Sequence, residues 1–283
     1  MISSVAFALL TSAALVAGHG RVTAVKINNV LFPGSQDNNS PVRGLPNDIG
    51  FVNYKNVNNP DIACSSGGYA PRKLTPEVPA GGQVGIRWGG DGGPDKKQWP
   101  HPEGPALAYL ASCNGQCSKF DPRGAQFFKI AEEGLDGSQQ PNQSGNDHLP
   151  WGQGLWAQNR IQYADSWNFV TIPKDIKPGE YLLRHELISL HAAHDSNQGA
   201  QYYPVCVQIK VTGGGNATPA TTPATQLYTT RNGIVNIYAP GEKHGISSQE
   251  YKIPGPALHV VGQASVSGRA HQGHGQAKKR ISH

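Results

Sequence analysis

The first eighteen residues carry no charged side chain, and the nineteenth is a histidine. The run Val5-Ala6-Phe7-Ala8-Leu9-Leu10, followed by Ala13–Gly18, is apolar but short for a bilayer span, and it ends in small residues. It reads as a secretory leader over 1–18, with a membrane anchor as the plainer alternative. Cleavage after Gly18 would make His19 the first residue. A free α-amino group titrates at about 7.7–8.0, so a metal displaces its proton readily. That amine and the imidazole of the same residue could chelate one ion together. One further imidazole would complete a three-nitrogen T. Planar nitrogen ligation with a distant oxygen suits Cu(II), which heads the divalent affinity order. Position alone leaves open that this histidine is accidental.

Such a site needs a rigid frame, and the composition says which kind. The chain has 283 residues, 35 of them Gly and 22 Pro, and only 15% are charged. That suits a loop-rich all-β domain better than a helical one. Val25 and Ile27 share one strand face, as do Val84, Ile86 and Trp88. Phe128 with Ile130, Val170 with Ile172, Val205 through Val211, and Val235 with Ile237 repeat the period of two. Short strands broken by turn residues predict an immunoglobulin- or fibronectin-like antiparallel β-sandwich. The connections 89–106 and 131–163 are longer than connection requires, which is where function collects. Patterning fades after Pro254-Gly255-Pro256. The expected division is therefore leader 1–18, domain 19–256 and flexible basic tail 257–283. The tail has no cysteine to staple a small carbohydrate-binding module.

Four cysteines in a secreted chain imply two disulfides, with three pairings open. Cys113 and Cys117 are close enough to close a small loop, which leaves Cys64 for Cys206. Secretion also makes Asn38, Asn142 and Asn216 eligible for glycosylation. The formal charge is +5, but Arg269, Lys278, Lys279 and Arg280 sit together at the end, and without them the rest carries +1. A nucleic-acid partner would need its basic charge on the folded body, so none is expected, nor is a membrane partner.

Several blocks in order resemble a known family. They are His19-Gly20-Arg21-Val22, Pro60-Asp61-Ile62-Ala63-Cys64, Gly104-Pro105-Ala106-Leu107-Ala108-Tyr109-Leu110 and Tyr181-Leu182-Leu183-Arg184-His185-Glu186. Gly199-Ala200-Gln201-Tyr202-Tyr203-Pro204-Val205-Cys206, Asn236-Ile237-Tyr238 and Pro254-Gly255-Pro256 complete the set. Together they resemble the fungal lytic polysaccharide monooxygenases of auxiliary activity family nine, over nearly the whole chain from His19 to about Pro256.

The resemblance implies one copper ion held by His19 and His101, the latter just ahead of Gly104-Pro105. It implies a weak axial approach by Tyr203 and hydrogen-bonding roles for Gln201 and His191. Gln201 and Tyr203 lie two apart on a strand, so they face the same way. Tyr203 also shares parity with Val205 and Val207, and a buried core tyrosine is the plainer reading. His185 reads as structural. Tyr251 would be a surface aromatic that stacks on sugar. The implied reaction starts when an external donor, such as a small phenol, ascorbate or a secreted dehydrogenase, reduces copper. Oxygen or hydrogen peroxide is then activated, and hydrogen is removed from C1 or C4 of a glycosidic link. The expected substrate is cellulose or a related cell-wall glucan, met by a monomer on a flat, open face. A glycoside hydrolase would need two carboxylates flanking the bond, and nothing marks such a pair. A non-catalytic secreted copper carrier or a polysaccharide-binding β-sandwich is the remaining alternative.

Overall fold

The structure is a computed structural model that describes residues 19–44, 50–90, 98–139, 154–238 and 250–262. The expected leader, Asn142 and the basic end of the tail lie outside the described residues. In chain order the strands are β1 (Gly20–Ile27), β2 (Val30–Pro33), β3 (Val52–Asn53), β4 (Glu77–Pro79), β5 (Gln83–Gly90), β6 (Ala106–Ser112) and β7 (Gln126–Glu133). After them come β8 (Leu135–Asp136), β9 (Leu155–Trp156), helix α1 (Ala157–Tyr163), β10 (Trp167–Thr171), β11 (Gly179–Ser189), β12 (Gln201–Thr212) and β13 (Thr222–Pro223).

Two sheets face each other as the sequence predicts. One has the order β10-β5-β1-β2; the larger has β13-β7-β6-β11-β12-β3. All their pairings are antiparallel except that β4 runs parallel beside β12. Val25, Ile27, Val84, Ile86 and Val170 from the small sheet meet Leu183, Leu187, Tyr203, Val207 and Ile209 from the large one. The alternating residues read from the sequence supply this inner core.

Strands β6 and β11 carried no such alternation, and the structure gives the reason. The large sheet is buried on both faces. Tyr109, Ala111, Leu182, Ile188 and Tyr202 face away from the small sheet, into a second core closed by Ile62, Cys64, Trp156 and Tyr228. A doubly covered strand reads as an apolar run instead of an alternating one. Residues Val235–Ile237, expected as a strand, are not one. Ile237 plugs the second core, and the Val235 amide donates to Ala193 O at 3.0 Å. The connection 131–163 is not wholly loop, since it contains the end of β7, β8, β9 and α1.

The block Arg184-His185-Glu186 splits by parity between the two cores. Arg184 and Glu186 point outward and form a fully buried ion pair with contacts of 2.6 and 2.7 Å. The guanidinium also donates to Ile62 O at 2.8 Å and Ala63 O at 3.0 Å. Next to that contact, Cys64 is bonded to Cys206 of β12, while Cys113 is bonded to Cys117. Both disulfides match the pairing expected from spacing. The cross-link over 142 residues stabilises by about 5 kcal/mol in the chain-entropy model.

Residues 257–262, expected as the start of the flexible tail, are docked instead. The His259 amide donates to Lys129 O at 2.8 Å. Its ring nitrogen lies 3.0 Å from Asp175 Oδ1, and the Gly262 amide donates to Asp175 Oδ2 at 2.9 Å. The ordered chain therefore runs past the expected boundary at Pro256.

His185 points inward. Trp88 Nε1–H donates to its Nδ1 at 3.1 Å, so the proton sits on Nε2, which donates to Asn168 Oδ1 at 2.8 Å. Burial, and then the Arg184 charge, pushes its pKa down to about 3. The folded protein thus binds fewer protons here than the unfolded chain between about pH 3 and the ordinary histidine value. Stability should therefore fall as pH drops through that window, by up to about 1.4 kcal/mol per pH unit. Denaturant unfolding of metal-free protein from pH 7 to 4 should show a shallower fall in His185→Gln than in wild type. Identical slopes would rule out this assignment.

Candidate metal centre

The expected site residues come from four separated parts of the chain. His19 immediately precedes β1, and His101 lies in the segment before β6. His191 follows the end of β11, while Gln201 and Tyr203 open β12. Parity places the last two on one face. Tyr203 Oη donates to Gln201 Oε1 at 2.7 Å, and His101 Nε2 lies 3.2 Å from Tyr203 Oη. With the hydroxyl proton committed to Gln201, Nε2 carries the hydrogen in this contact, and a metal would take that hydrogen's place. Burial pushes the Tyr203 phenol well above the usual tyrosine range, so it stays protonated.

Rings complete the cluster. His191 stacks flat on His101, with centroids 4.3 Å apart and planes 9° off parallel. His19 stacks on Phe51 at 5.3 Å, and Phe51 meets Tyr203 at 5.8 Å. Behind them stands Trp99, edge-on to His101 at 5.3 Å, to Tyr203 at 4.9 Å and to Trp88 at 5.1 Å. Trp99 Nε1–H donates to Gln158 Oε1 at 2.8 Å, and its amide donates to Ser166 Oγ at 2.9 Å. A Cβ on Gly20 would come within 2.6 Å of the Trp99 ring and 2.5 Å of Gly89 O. Only glycine beside His19 lets that ring close on the backbone.

Gly104 is fixed as firmly. Its φ is +133°, and a Cβ there would lie 2.0 Å from Ile188 O. The loop carrying His101 is thereby pressed against β11. The same loop buries Glu103, whose carboxyl is pushed up to about 7 by loss of solvent. The structure thus brings His19, His101, His191, Gln201 and Tyr203 together. Tyr251 is half-buried, packs edge-on to Trp156 at 4.9 Å and borders the second core. Sequence reasoning missed Trp99, Phe51, Gln158 and Glu103. The Trp99-Pro100-His101 spacing was the available signal for the first.

Among the described residues, no group of three or more His, Cys, Asp or Glu side chains is placed to hold a metal. A donor set of two imidazoles must therefore be completed from the backbone, which the α-amino group of a processed His19 would do. His191 contributes a buried Nδ1 with no hydrogen-bond partner among the described residues. Burial first, then His19 and His194, lowers its pKa, which keeps the ring neutral. An all-nitrogen set of neutral imidazoles and an amine suits copper.

Comparison with known proteins points the same way. The model of Auxiliary Activity family 9 (formerly GH61) matches residues 19–250. An AA9 family lytic polysaccharide monooxygenase from Aspergillus oryzae is 42% identical, over 88% of this chain and 94% of its own length. One from Thermoascus aurantiacus is 40% identical, over 86% of this chain and all of its own. The structure of a glycoside hydrolase family 61 member from Hypocrea jecorina superposes with a TM-score of 0.70 at 32% identity, covering 85% of this chain and all of that one.

Trp99→Phe keeps an aromatic ring but removes the Nε1–H that Gln158 accepts. Because Gln158 Oε1 still accepts from Ser189 Oγ at 3.0 Å, it should cost about 0.5–1.5 kcal/mol, the net worth of one buried hydrogen bond. Denaturant melts of both proteins check this. A difference under about 0.5 kcal/mol would mean the indole nitrogen does not brace the site.

Proposed function

The chain belongs to auxiliary activity family 9, the lytic polysaccharide monooxygenases, and we propose that the ring cluster at the head of β12 is its oxidising centre. The protein is a copper-dependent oxidoreductase that cleaves polysaccharide oxidatively. Enzymes of this family are extracellular and draw electrons from an external reductant. No helix among the described residues is long and apolar enough to cross a membrane. The reading of a non-catalytic binding protein is not favoured, since the relatives are named as monooxygenases.

His19, through its ring and its freed amine, and His101 would hold one copper ion. Reduced copper supplies the one-electron chemistry that activates oxygen or hydrogen peroxide. The observation that carries the assignment is the contact of His101 Nε2 with Tyr203 Oη at 3.2 Å, inside a wall of stacked rings. Tyr203 fills one side of the site with a protonated phenol, held by Gln201. That leaves it a weak oxygen neighbour instead of a charged ligand. His191, neutral and with its Nδ1 unpartnered among the described residues, can accept or hold a proton beside His101. The Gln201 amide fixes the phenol proton and can itself donate to an oxygen atom of the oxidant. Trp99 and Phe51 exclude water behind the two histidines.

Cellulose or a related cell-wall glucan, attacked at C1 or C4, is the proposed substrate of a monomeric, secreted domain. Small phenols, ascorbate or a secreted dehydrogenase are the proposed donors. Asn38 and Asn216 are both exposed and are proposed glycosylation sites, with Asn142 as the third.

The processed protein should begin His-Gly-Arg-Val. One extra residue before His19 converts the amine into an amide and should abolish tight copper binding; tight binding by that extended form would sink the site. Calorimetric copper titration should find His101→Ala crippled. Gln201→Ala, His191→Ala and Tyr203→Phe should keep copper, with the first two forming oxidised sugars more slowly. Equal copper loss in all four would refute the division of roles.

A further inference from the structure

The small sheet has a solvent face that the inner core does not use. Along β10, Val170 and Asn168 point inward, while Trp167 and Phe169 point out. Their rings stack, with centroids 5.8 Å apart and planes 24° off parallel. Phe169 remains 49% exposed on an edge strand. The ring is seated by its neighbour, since across the ladder Phe169 faces Gly85, where a Cβ would lie 2.7 Å from the ring. Trp167 faces Arg87, whose guanidinium donates to both Asp165 oxygens at 2.8 Å. Lys26 continues the row beyond Gly85. The result is an apolar step of two stacked rings on an edge strand, beside the Arg87–Asp165 pair and Lys26.

We propose that this step is a second polysaccharide-binding site, on the outer face of the small sheet and separate from the metal centre. Adjacent rings at the surface form a contiguous apolar patch of the kind that marks an interaction site. Two stacked rings, one of them half-exposed, present apolar ring surface to the C–H face of a pyranose. Arg87, Asp165 and Lys26 offer donors and acceptors to the hydroxyls around its edge. A second copy of the chain fits less well, because a stable protein interface needs roughly 800 Å² per partner with a charge-poor centre. Trp167 faces Arg87, three residues from Gly90, and Gly90 pairs with Gly20 beside His19. At about 3.3 Å per residue, the step lies roughly 10 Å along the sheet from the strand end that carries the site. A chain bound there would tether the enzyme without occupying the metal centre. The inference goes beyond the proposed centre and shares with it only the substrate class.

The test is a pull-down isotherm on insoluble cellulose, xylan and xyloglucan, with chelator and no reductant, so that the copper assignment plays no part. Trp167→Ala with Phe169→Ala should lower the bound fraction on at least one polysaccharide several-fold. Its melting temperature and, separately, its copper titration should match wild type. Trp167→Tyr with Phe169→Tyr, which keeps the rings, should restore binding and guards against a folding artefact. Binding equal to wild type in the alanine pair, or no binding by wild type to any of the three, overturns the proposal. So does sedimentation of wild type as a dimer that the alanine pair dissociates, which would make the face a self-interface.

Discussion

The buried pair of Arg184 and Glu186 is the constraint from which the rest of the architecture follows. Two charges removed from water are tolerated only if every donor and acceptor finds a partner. Here the guanidinium spends its donors on Glu186 and on the carbonyls of Ile62 and Ala63. Glu186 in turn accepts from Tyr228 Oη, which lies 2.8 Å from Tyr109 Oη. A loop far away in sequence is thereby nailed to the middle of the large sheet. The Cys64–Cys206 bond fastens the same loop to the neighbouring strand. Because that face is covered, the sheet is buried on both sides and its central strands cannot slip without stranding the charges.

The metal centre inherits that rigidity. The strand that starts the anchored segment carries on from Phe51, and Phe51 is the ring on which His19 stacks. Its partner strand, β12, presents Gln201 and Tyr203. From the opposite side, Trp88 and Trp99 link the small sheet to the same tyrosine through edge-to-face contacts. Two histidines separated by more than eighty residues are thus set by one continuous aromatic wall. Each ring is held by a neighbour on another element, so the proposed ligands are placed by packing and not by the loops that bear them.

This division also explains why the outer face of the small sheet is free to differ. Its inner side is committed to the shared core, but among the described residues its solvent side has no second layer comparable to the loops that cover the large sheet. Gly85 gives Phe169 a seat at the cost of a strand side chain.

Local signals determined a good deal. Period-two patterning in Val25/Ile27, Val84/Ile86 and Val205–Val211 gave the sandwich, because those strands have one buried and one exposed or loop-facing side. Spacing gave the disulfide pairing, since four residues can close only a small ring. Parity put Gln201 and Tyr203 on one face, and the ordered motifs marked the five residues proposed for the centre. Other features were decided by contacts between distant segments. Strands β6 and β11 are buried on both faces, so their sequences do not alternate, and Val235–Ile237 alternates yet plugs a core. Residues 257–262 lie past Pro254-Gly255-Pro256 with no strand alternation, but Asp175 and Lys129 hold them in place. Tyr251 reads in sequence as a surface aromatic, and its edge-on packing against Trp156 shows only in the fold. Trp99 and Phe51 escaped notice for the same reason: a ring's role depends on which rings surround it, and only the closed fold brings those together.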